Sequence, residues 1–316
     1  MTGLPYLDAA TLERLVPMGR ATRALEDALL AGLDPEATPQ RPVVPVPGGQ
    51  LLLMPASYGR YAGVKAATVA PGNPERGLPR VQGTYLLFDG ETLTPLAAMD
   101  GIALTSLRTP AVSALAVRHL AGEHARRLVV FGSGPQAWGH VPAMRVVRPV
   151  TDVTVVGRDA GRARALAERC RALGLTARAL THDPASREAV GRALGEADIV
   201  ACCTTAREPL FPGKLAPDGV TVVAVGSHEP GARELDGDLV ARATVVVEAR
   251  AAALEEAGDV LIPIRGGTIA AGHLAGNLAE LVAGEVVIGT GPRVFKSTGM
   301  AWEDLVVAAA AYEAWT

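Results

Sequence analysis

A short β-branched and apolar run, LVVFG, ends directly in Gly132-Ser133-Gly134-Pro135-Gln136-Ala137. This G-x-G-x-x-A order after an apparent strand is the pattern of a dinucleotide-binding turn. Gly132 permits the tight turn, Gly134 lets the backbone approach a pyrophosphate, and the small Ala137 lets the following helix pack on the strand. That helix would open with free N–H groups and the positive end of its dipole toward the phosphates. The next strand, DVTVVG, ends in Gly157 and Arg158, where a site selective for NAD usually carries an acid for the ribose 2′-hydroxyl. With no carboxylate there to repel a 2′-phosphate and a guanidinium beside it, NADP(H) is the preferred cofactor, and NAD(H) stays open as the alternative. Asp159 is expected to cap the next helix. Arg162 and Arg164 either add positive potential or line a solvated helix face.

Composition narrows the class. The chain has 316 residues, 49% of them hydrophobic and 20% charged, which is ample for two domains and a large core. A net charge of −3 gives no electrostatic reason to expect nucleic acid as a partner, and 4% aromatic residues argue against base-stacking platforms. Cys170, Cys202 and Cys203 lack metal-ligand spacing and read as small buried hydrophobes in a reducing compartment; no metal is expected. The segment MTGLPYLDAATLERL carries acids and no long apolar stretch, so neither a signal peptide nor a membrane span is predicted, and a cytoplasmic location follows.

The elements that must position this chemistry fall into two groups. Residues 7–32 suggest two helices broken around Pro17, with Asp8 and Thr11 as candidate caps. RPVVPV, QLLLMPA, YAGVKAATV and GTYLLFD read as short strands of a small antiparallel sheet, continued by ETLTPLAAMD, before an alanine-rich helix starting at about Thr105. Beyond the glycine turn, TARAL, SREAVGRAL, DIVACCTT, VTVVAVG and TVVVEA alternate strand and helix, as an open parallel sheet requires. The fold class is therefore α/β: a Rossmann-type, doubly wound parallel sheet plus a smaller, sheet-rich α+β domain. Residues 1–122 and 298–316 are assigned to the smaller domain, residues 123–297 to the dinucleotide domain. A strand ending in Val225-Gly226-Ser227-His228 would deliver side chains to the carboxyl edge of the sheet, where ligands bind in this architecture. RVFKSTGMAWEDL reads as a strand, a small-residue turn and the start of an apolar helix returning to the first domain.

The stretches LLLMPA, YAGVK, PGNPERGLP, LLFD, MDG-IALTSLRTPAVSALA, GSGPQA, AVGSHEPGARELD, EAGDV and VFKSTGMAWEDL together resemble the ornithine cyclodeaminase and mu-crystallin family over nearly the whole chain. Within it, the likeness is closer to the ketimine-reductase branch than to the true cyclodeaminases. The resemblance implies a homodimer whose sheet-rich domain binds a small imino or amino acid and forms the dimer contact. Arg41, Lys65 and Arg108 match the family's carboxylate-binding positions, and two guanidinium groups and an ammonium would hold a carboxylate through charge-assisted bonds. Lys65 and Arg108 sit inside apolar runs, where an idle charge is costly; Arg41, in a proline-rich approach, reads equally as a surface cation. Pro135, Gln136, Thr205, Val225 and Ser297 match positions that line the dinucleotide.

Two departures bear on the reaction. Where cyclodeaminases hold a glutamate and an aspartate, this chain has Leu52 and His228. Leucine cannot take a proton, and histidine cannot play the anionic partner in the same way, so cyclodeamination is disfavoured. The resemblance implies instead an NADPH-dependent reduction of a cyclic ketimine carboxylate of the pyrroline- or piperideine-2-carboxylate type. His228, with an ordinary pKa near 6.5, is the candidate to protonate the imine nitrogen; its other reading is a hydrogen-bonded strand-end residue. An ornithine cyclodeaminase, an alanine-dehydrogenase-like oxidoreductase, and a non-catalytic protein that binds NADPH and a small acid remain the rival readings.

Overall fold

In the computed structural model, which describes residues 3–316, the opening alternation folds as a short strand β1 (Tyr6–Leu7) and helices α1 (Ala9–Leu15) and α2 (Met18–Leu30). The Asp8 carboxylate accepts the Thr11 N–H at 2.9 Å and caps α1, whereas Thr11 itself lies inside the helix. Pro17, which has no N–H to continue α1, stands directly before α2.

Strands β2 (Val43–Val46), β3 (Gly49–Tyr58), β4 (Tyr61–Val69), β5 (Val81–Asp89) and β6 (Pro95–Asp100) follow. They form one six-stranded sheet in the order β1-β6-β5-β4-β3-β2, antiparallel except for the parallel β1–β6 pair that the sequence reading omitted. Strict alternation divides its faces. Leu52, Met54, Lys65, Tyr85, Leu87, Ala97 and Met99 are buried on one side. Leu53, Val64 and Leu86 on the other side are only half-buried. The β2 strand carries Pro45 and is exposed throughout, as befits an edge strand that cannot offer every N–H.

Helix α3 spans Gly101–Leu120, beginning earlier than the expected Thr105. The cause is local: the Asp100 carboxylate accepts the N–H groups of Ile102 and Ala103, both at 2.9 Å, so the cap sits at the end of β6.

Strand β7 (Arg127–Phe131), helix α4 (Pro135–Val147), strand β8 (Asp152–Gly157), helix α5 (Ala160–Ala172), strand β9 (Thr176–Thr181), helix α6 (Arg187–Gly195) and strand β10 (Ile199–Cys202) continue the chain. Then come β11 (Thr221–Ala224), α7 (Gly237–Arg242), β12 (Thr244–Val247), α8 (Arg250–Glu256), α9 (Gly258–Arg265), β13 (Leu274–Asn277), α10 (Leu278–Val282), β14 (Arg293–Lys296) and a terminal helix Ala301–Trp315. The eight strands from β7 onward make a single, wholly parallel sheet in the order β13-β12-β14-β11-β10-β7-β8-β9. Strand order reverses at β7, since β8 and β9 extend to one side and β10 and β11 to the other; this is the doubly wound arrangement. Strand β13 had no counterpart in the sequence reading, and β14 threads between β11 and β12.

The chain divides into two compact units: the residues up to Val112 with Met300–Thr316, and Ser113–Gly299. The first division falls inside α3 and the second just after β14. Among the described residues no helix is long and apolar enough to cross a membrane, and no group of metal-ligating side chains is assembled. Cys170 and Cys202 are buried, Cys203 is partly so, and all three are free thiols.

Candidate functional site

In the parallel sheet, register fixes which residues share an edge. Phe131, Cys202, Ala224 and Lys296 are paired successively across β7, β10, β11 and β14, and Lys296 pairs onward with Val247 of β12. One residue further along each strand stand Gly132, Cys203, Val225, Ser297 and Glu248. The expected dinucleotide residues Gly132, Val225 and Ser297 therefore line up on the carboxyl edge, where an open α/β sheet binds its ligand.

The turn has the properties that a dinucleotide needs. Gly132 has φ +116°, and a side chain there would lie 2.6 Å from the Cys203 carbonyl oxygen. Gly134 is the N-cap of α4 and a Cβ on it would meet nothing within 4 Å, so the backbone is open to a close-lying group. Pro135 occupies the first helical position, where a missing N–H costs nothing, and Ala137 is fully buried against the strand. Gln136 lends its carbonyl oxygen to His140 Nδ1 at 2.8 Å, which makes that nitrogen the protonated one and leaves Nε2 to accept the Ser113 hydroxyl at 2.9 Å. Burial holds the His140 pKa down at about 4.

At the end of β8, Gly157 is packed so closely that a Cβ would stand 3.2 Å from that of Ala163, and Arg158 beyond it is exposed. Asp159 is occupied as the α5 cap, accepting the Arg162 N–H at 2.9 Å, as its place in the sequence suggested. Thr205 is exposed in the loop after β10, and Ser297 is buried, its N–H bonded to the Ala224 carbonyl at 3.1 Å.

The strand leading to His228 stops at Ala224, and Val225 to His228 form a loop with His228 exposed. Val225 N–H still bonds the Cys202 carbonyl, but the Gly226 N–H turns away to Glu234 Oε2 at 2.8 Å, which takes the backbone off the ladder.

Sequence reasoning missed the acids that organise this edge. Glu234 is fully buried and accepts the Thr204 N–H and hydroxyl on Oε1, each at 2.7 Å. Asp259 Oδ1 accepts the N–H groups of Glu234 and Leu235, while Oδ2 stands 2.9 Å from Lys296 Nζ. Lys296 also donates to the Ser227 carbonyl at 2.6 Å. Glu248 Oε2 accepts the N–H groups of Thr298 and Gly299. The available signal was a lone charge at the end of an apolar strand, as in TVVVE and RVFK, since such a charge must find partners inside the fold. Burial is the main influence on Glu234 and raises its pKa to about 6.

In the sheet-rich unit, Lys65 projects from β4 on the buried face and Arg108 from α3; their relative exposures are 3% and 5%. The reading of these two as cations converging in an apolar setting omitted their counter-charges, which come from the first turn of the terminal helix. Lys65 Nζ lies 2.6 Å from Asp304 Oδ2, and Arg108 Nη1 lies 2.7 Å from Glu303 Oε2, with Arg108 Nε 3.5 Å from Asp304 Oδ1. Lys65 also donates to Thr105 Oγ1 at 3.2 Å. An ammonium has three donors, so one N–H of Lys65 is left for an incoming group. Burial lowers the Lys65 pKa to about 8, against the opposing pull of Asp304. Leu52 is buried on the same sheet face, and Arg41 lies half-buried in the segment ahead of β2.

Known proteins resemble the chain over most of its length. The chain is 36% identical over 285 residues to a Delta(1)-pyrroline-2-carboxylate reductase of Bacillus cereus, covering 87% of this chain and 85% of that protein. Its structure resembles that of the Thermococcus litoralis Delta(1)-pyrroline-2-carboxylate reductase in complex with NADH and L-proline, with a TM-score of 0.91, 32% identity, and coverage of 98% and 97% of the two chains. An archaeal alanine dehydrogenase dimer with bound NAD gives a TM-score of 0.89 at 29% identity, covering 98% of this chain and 95% of that one. The model of the ornithine cyclodeaminase/mu-crystallin family matches residues 12–316, and the chain belongs to that family.

Proposed function

We propose that the protein is an NAD(P)H-dependent oxidoreductase that reduces the C=N bond of a cyclic imine carboxylate of the pyrroline- or piperideine-2-carboxylate type. The observation that carries this reading is the burial of Lys65 and Arg108 beside the same Asp304 carboxylate, with the aliphatic Leu52 on the sheet face of Lys65. The pair offers a carboxylate charge-assisted bonds in a dry setting, and Leu52 offers no base for deamination. Kinship with pyrroline-2-carboxylate reductases supports the same chemistry.

Gly132, Gly134, Pro135, Gln136, Ala137, Thr205, Val225 and Ser297 would hold the dinucleotide. When bound, its reduced nicotinamide supplies the hydride. The chain's own residues do the remaining work. Lys65 and Arg108, with Arg41, fix the substrate carboxylate and draw electron density from the neighbouring carbon. His228, exposed on its loop, provides the proton for the imine nitrogen. Arg158 and the absence of an acid at Gly157 favour NADP(H) over NAD(H). The protein acts as a homodimer, with the half-buried apolar side of the six-stranded sheet as the contact.

The test follows absorbance of NADPH and NADH with five- and six-membered cyclic imine carboxylates, with pyruvate plus amines, and with ornithine. Oxidation with the cyclic imines supports the reading. Ammonia release from ornithine without net cofactor consumption would establish a cyclodeaminase, and dinucleotide-dependent oxidation of alanine an alanine dehydrogenase. The kinship with an archaeal alanine dehydrogenase makes the last the stronger rival. Dinucleotide binding with no turnover of any substrate would point to a binding protein.

A further inference from the structure

We propose that Glu234 is a positioning residue for dinucleotide binding, clamping the chain after β10 to the chain after β11 with a single carboxylate. The inference rests on the reading that this sheet edge takes a dinucleotide, and it adds the group that shapes the edge.

Both oxygens of Glu234 are committed, and to different loops. Oε1 accepts the N–H and hydroxyl of Thr204, and Oε2 accepts the N–H of Gly226. The residues next in sequence to these two anchors are Thr205 and Val225, the two proposed to line the dinucleotide on these loops. The loops are also pressed together, because a Cβ on Gly226 would stand 1.9 Å from the Thr204 carbonyl oxygen and 2.6 Å from Glu234 Oε1. Nothing larger than glycine fits while the clamp is closed.

Glu234 is itself held in place. Its N–H and that of Leu235 bond Asp259 Oδ1, and Asp259 is paired with Lys296, whose ammonium also bonds the Ser227 carbonyl. Lys296 leads directly into Ser297, so one buried chain of contacts joins the ends of β10, β11 and β14. A hydrogen-bonded carboxylate at the centre of such a network fixes backbone positions in a way that an apolar contact cannot.

The clamp needs the ionised acid. Its partners include two backbone N–H groups, which can only donate, so a proton on either oxygen would oppose one of them. The titratable groups around Glu234 are Asp259 of α9, Lys296 of β14, and Cys202 and Cys203 at the end of β10. Both thiols are pushed well above their ordinary value and stay neutral. Asp259 raises and Lys296 lowers the Glu234 pKa, which burial sets at about 6. The clamp should therefore loosen as pH falls through that value.

Wild type, Glu234→Gln and Thr204→Val are titrated with NADPH and with NADH by fluorescence between about pH 5 and about pH 7.5, with melting curves and steady-state kinetics in parallel. The expected result is a dinucleotide dissociation constant raised about tenfold in Glu234→Gln at neutral pH, with KM for the imine changed less than about twofold. Thr204→Val, which keeps the carboxylate and removes one hydroxyl, should show a smaller rise of about threefold. The wild-type constant should rise as the solution is acidified through about 6, and that of Glu234→Gln should stay flat. Two folded variants that bind both dinucleotides like wild type, or a lowered melting temperature with dinucleotide and imine constants moving together, would overturn the proposal. A wild-type protein that binds no dinucleotide would overturn the functional reading itself, and this inference with it.

Discussion

The Lys65 ammonium and the Asp304 carboxylate, which are far apart in sequence, meet at 2.6 Å in a buried contact. The pair changes what Lys65 can do with pH. Burial holds its pKa at about 8 rather than 10.5, so the ammonium is lost from the native protein while the unfolded chain still carries it. KM for the imine carboxylate is expected to rise as pH increases through about 8, with a smaller change in kcat. Asp304→Asn removes the interaction opposing the burial effect and should shift this alkaline limb to lower pH, as a series of KM values against pH would show. The linkage to stability runs the other way. Below about 8 both states are protonated and the native state bears the full cost of a buried charge; between about 8 and 10.5 that cost is relieved, so stability from this group rises with pH. Removing Asp304 at neutral pH leaves the Lys65 ammonium buried without its carboxylate and should cost about 3–5 kcal/mol in denaturant unfolding.

Acid should act on the parallel-sheet unit through His140. Its folded pKa, about 4, lies below the ordinary 6.5 because the ring is buried and neutral. Its contribution to stability is fully present above about pH 6.5 and is lost as pH falls toward about 4, where the native ring finally charges. The shift corresponds to about 3 kcal/mol. Melting curves of wild type and His140→Gln across this range should converge as the solution is acidified.

Cofactor preference can be tested at Arg158. It is exposed immediately after β8, and Gly157 before it offers no acid to the ribose. Arg158→Ala should raise KM for NADPH about tenfold and leave that for NADH within about twofold. An unchanged ratio of the two constants would show that another group reads the 2′-phosphate.

The half-buried side of the six-stranded sheet supplies a fourth test. Val64 pairs with Pro55 on one neighbouring strand and Leu86 on the other, on the side opposite Lys65. If this face is the dimer contact, Val64→Glu should convert the protein to monomers in light scattering, since a charge would be buried without a partner. A dimer of unchanged stability would place the contact elsewhere.

Much of this was legible in the sequence because local patterns decided it. The glycine turn, the Asp8 and Asp159 caps and the strand DVTVVG each depend on neighbouring residues. The partners of Lys65 and Arg108 were not legible, because Glu303 and Asp304 reach them from the opposite end of the sequence and look like ordinary first-turn acids of a helix. His228 was placed at a strand end for a similar reason. Only Glu234, further along the chain, draws the Gly226 N–H off the ladder. The start of α3 was misjudged because its cap is the last residue of a strand.

The insertion of β14 between β11 and β12 also bears on how the molecule is made. Strands β11 and β12 both need a neighbour that is made after them, so the growing polypeptide carries two open ladders until residues 293–296 emerge. Truncation ahead of residue 293 would split the sheet rather than trim its rim, and the long-range pairing of this strand should set the pace of acquiring the native state.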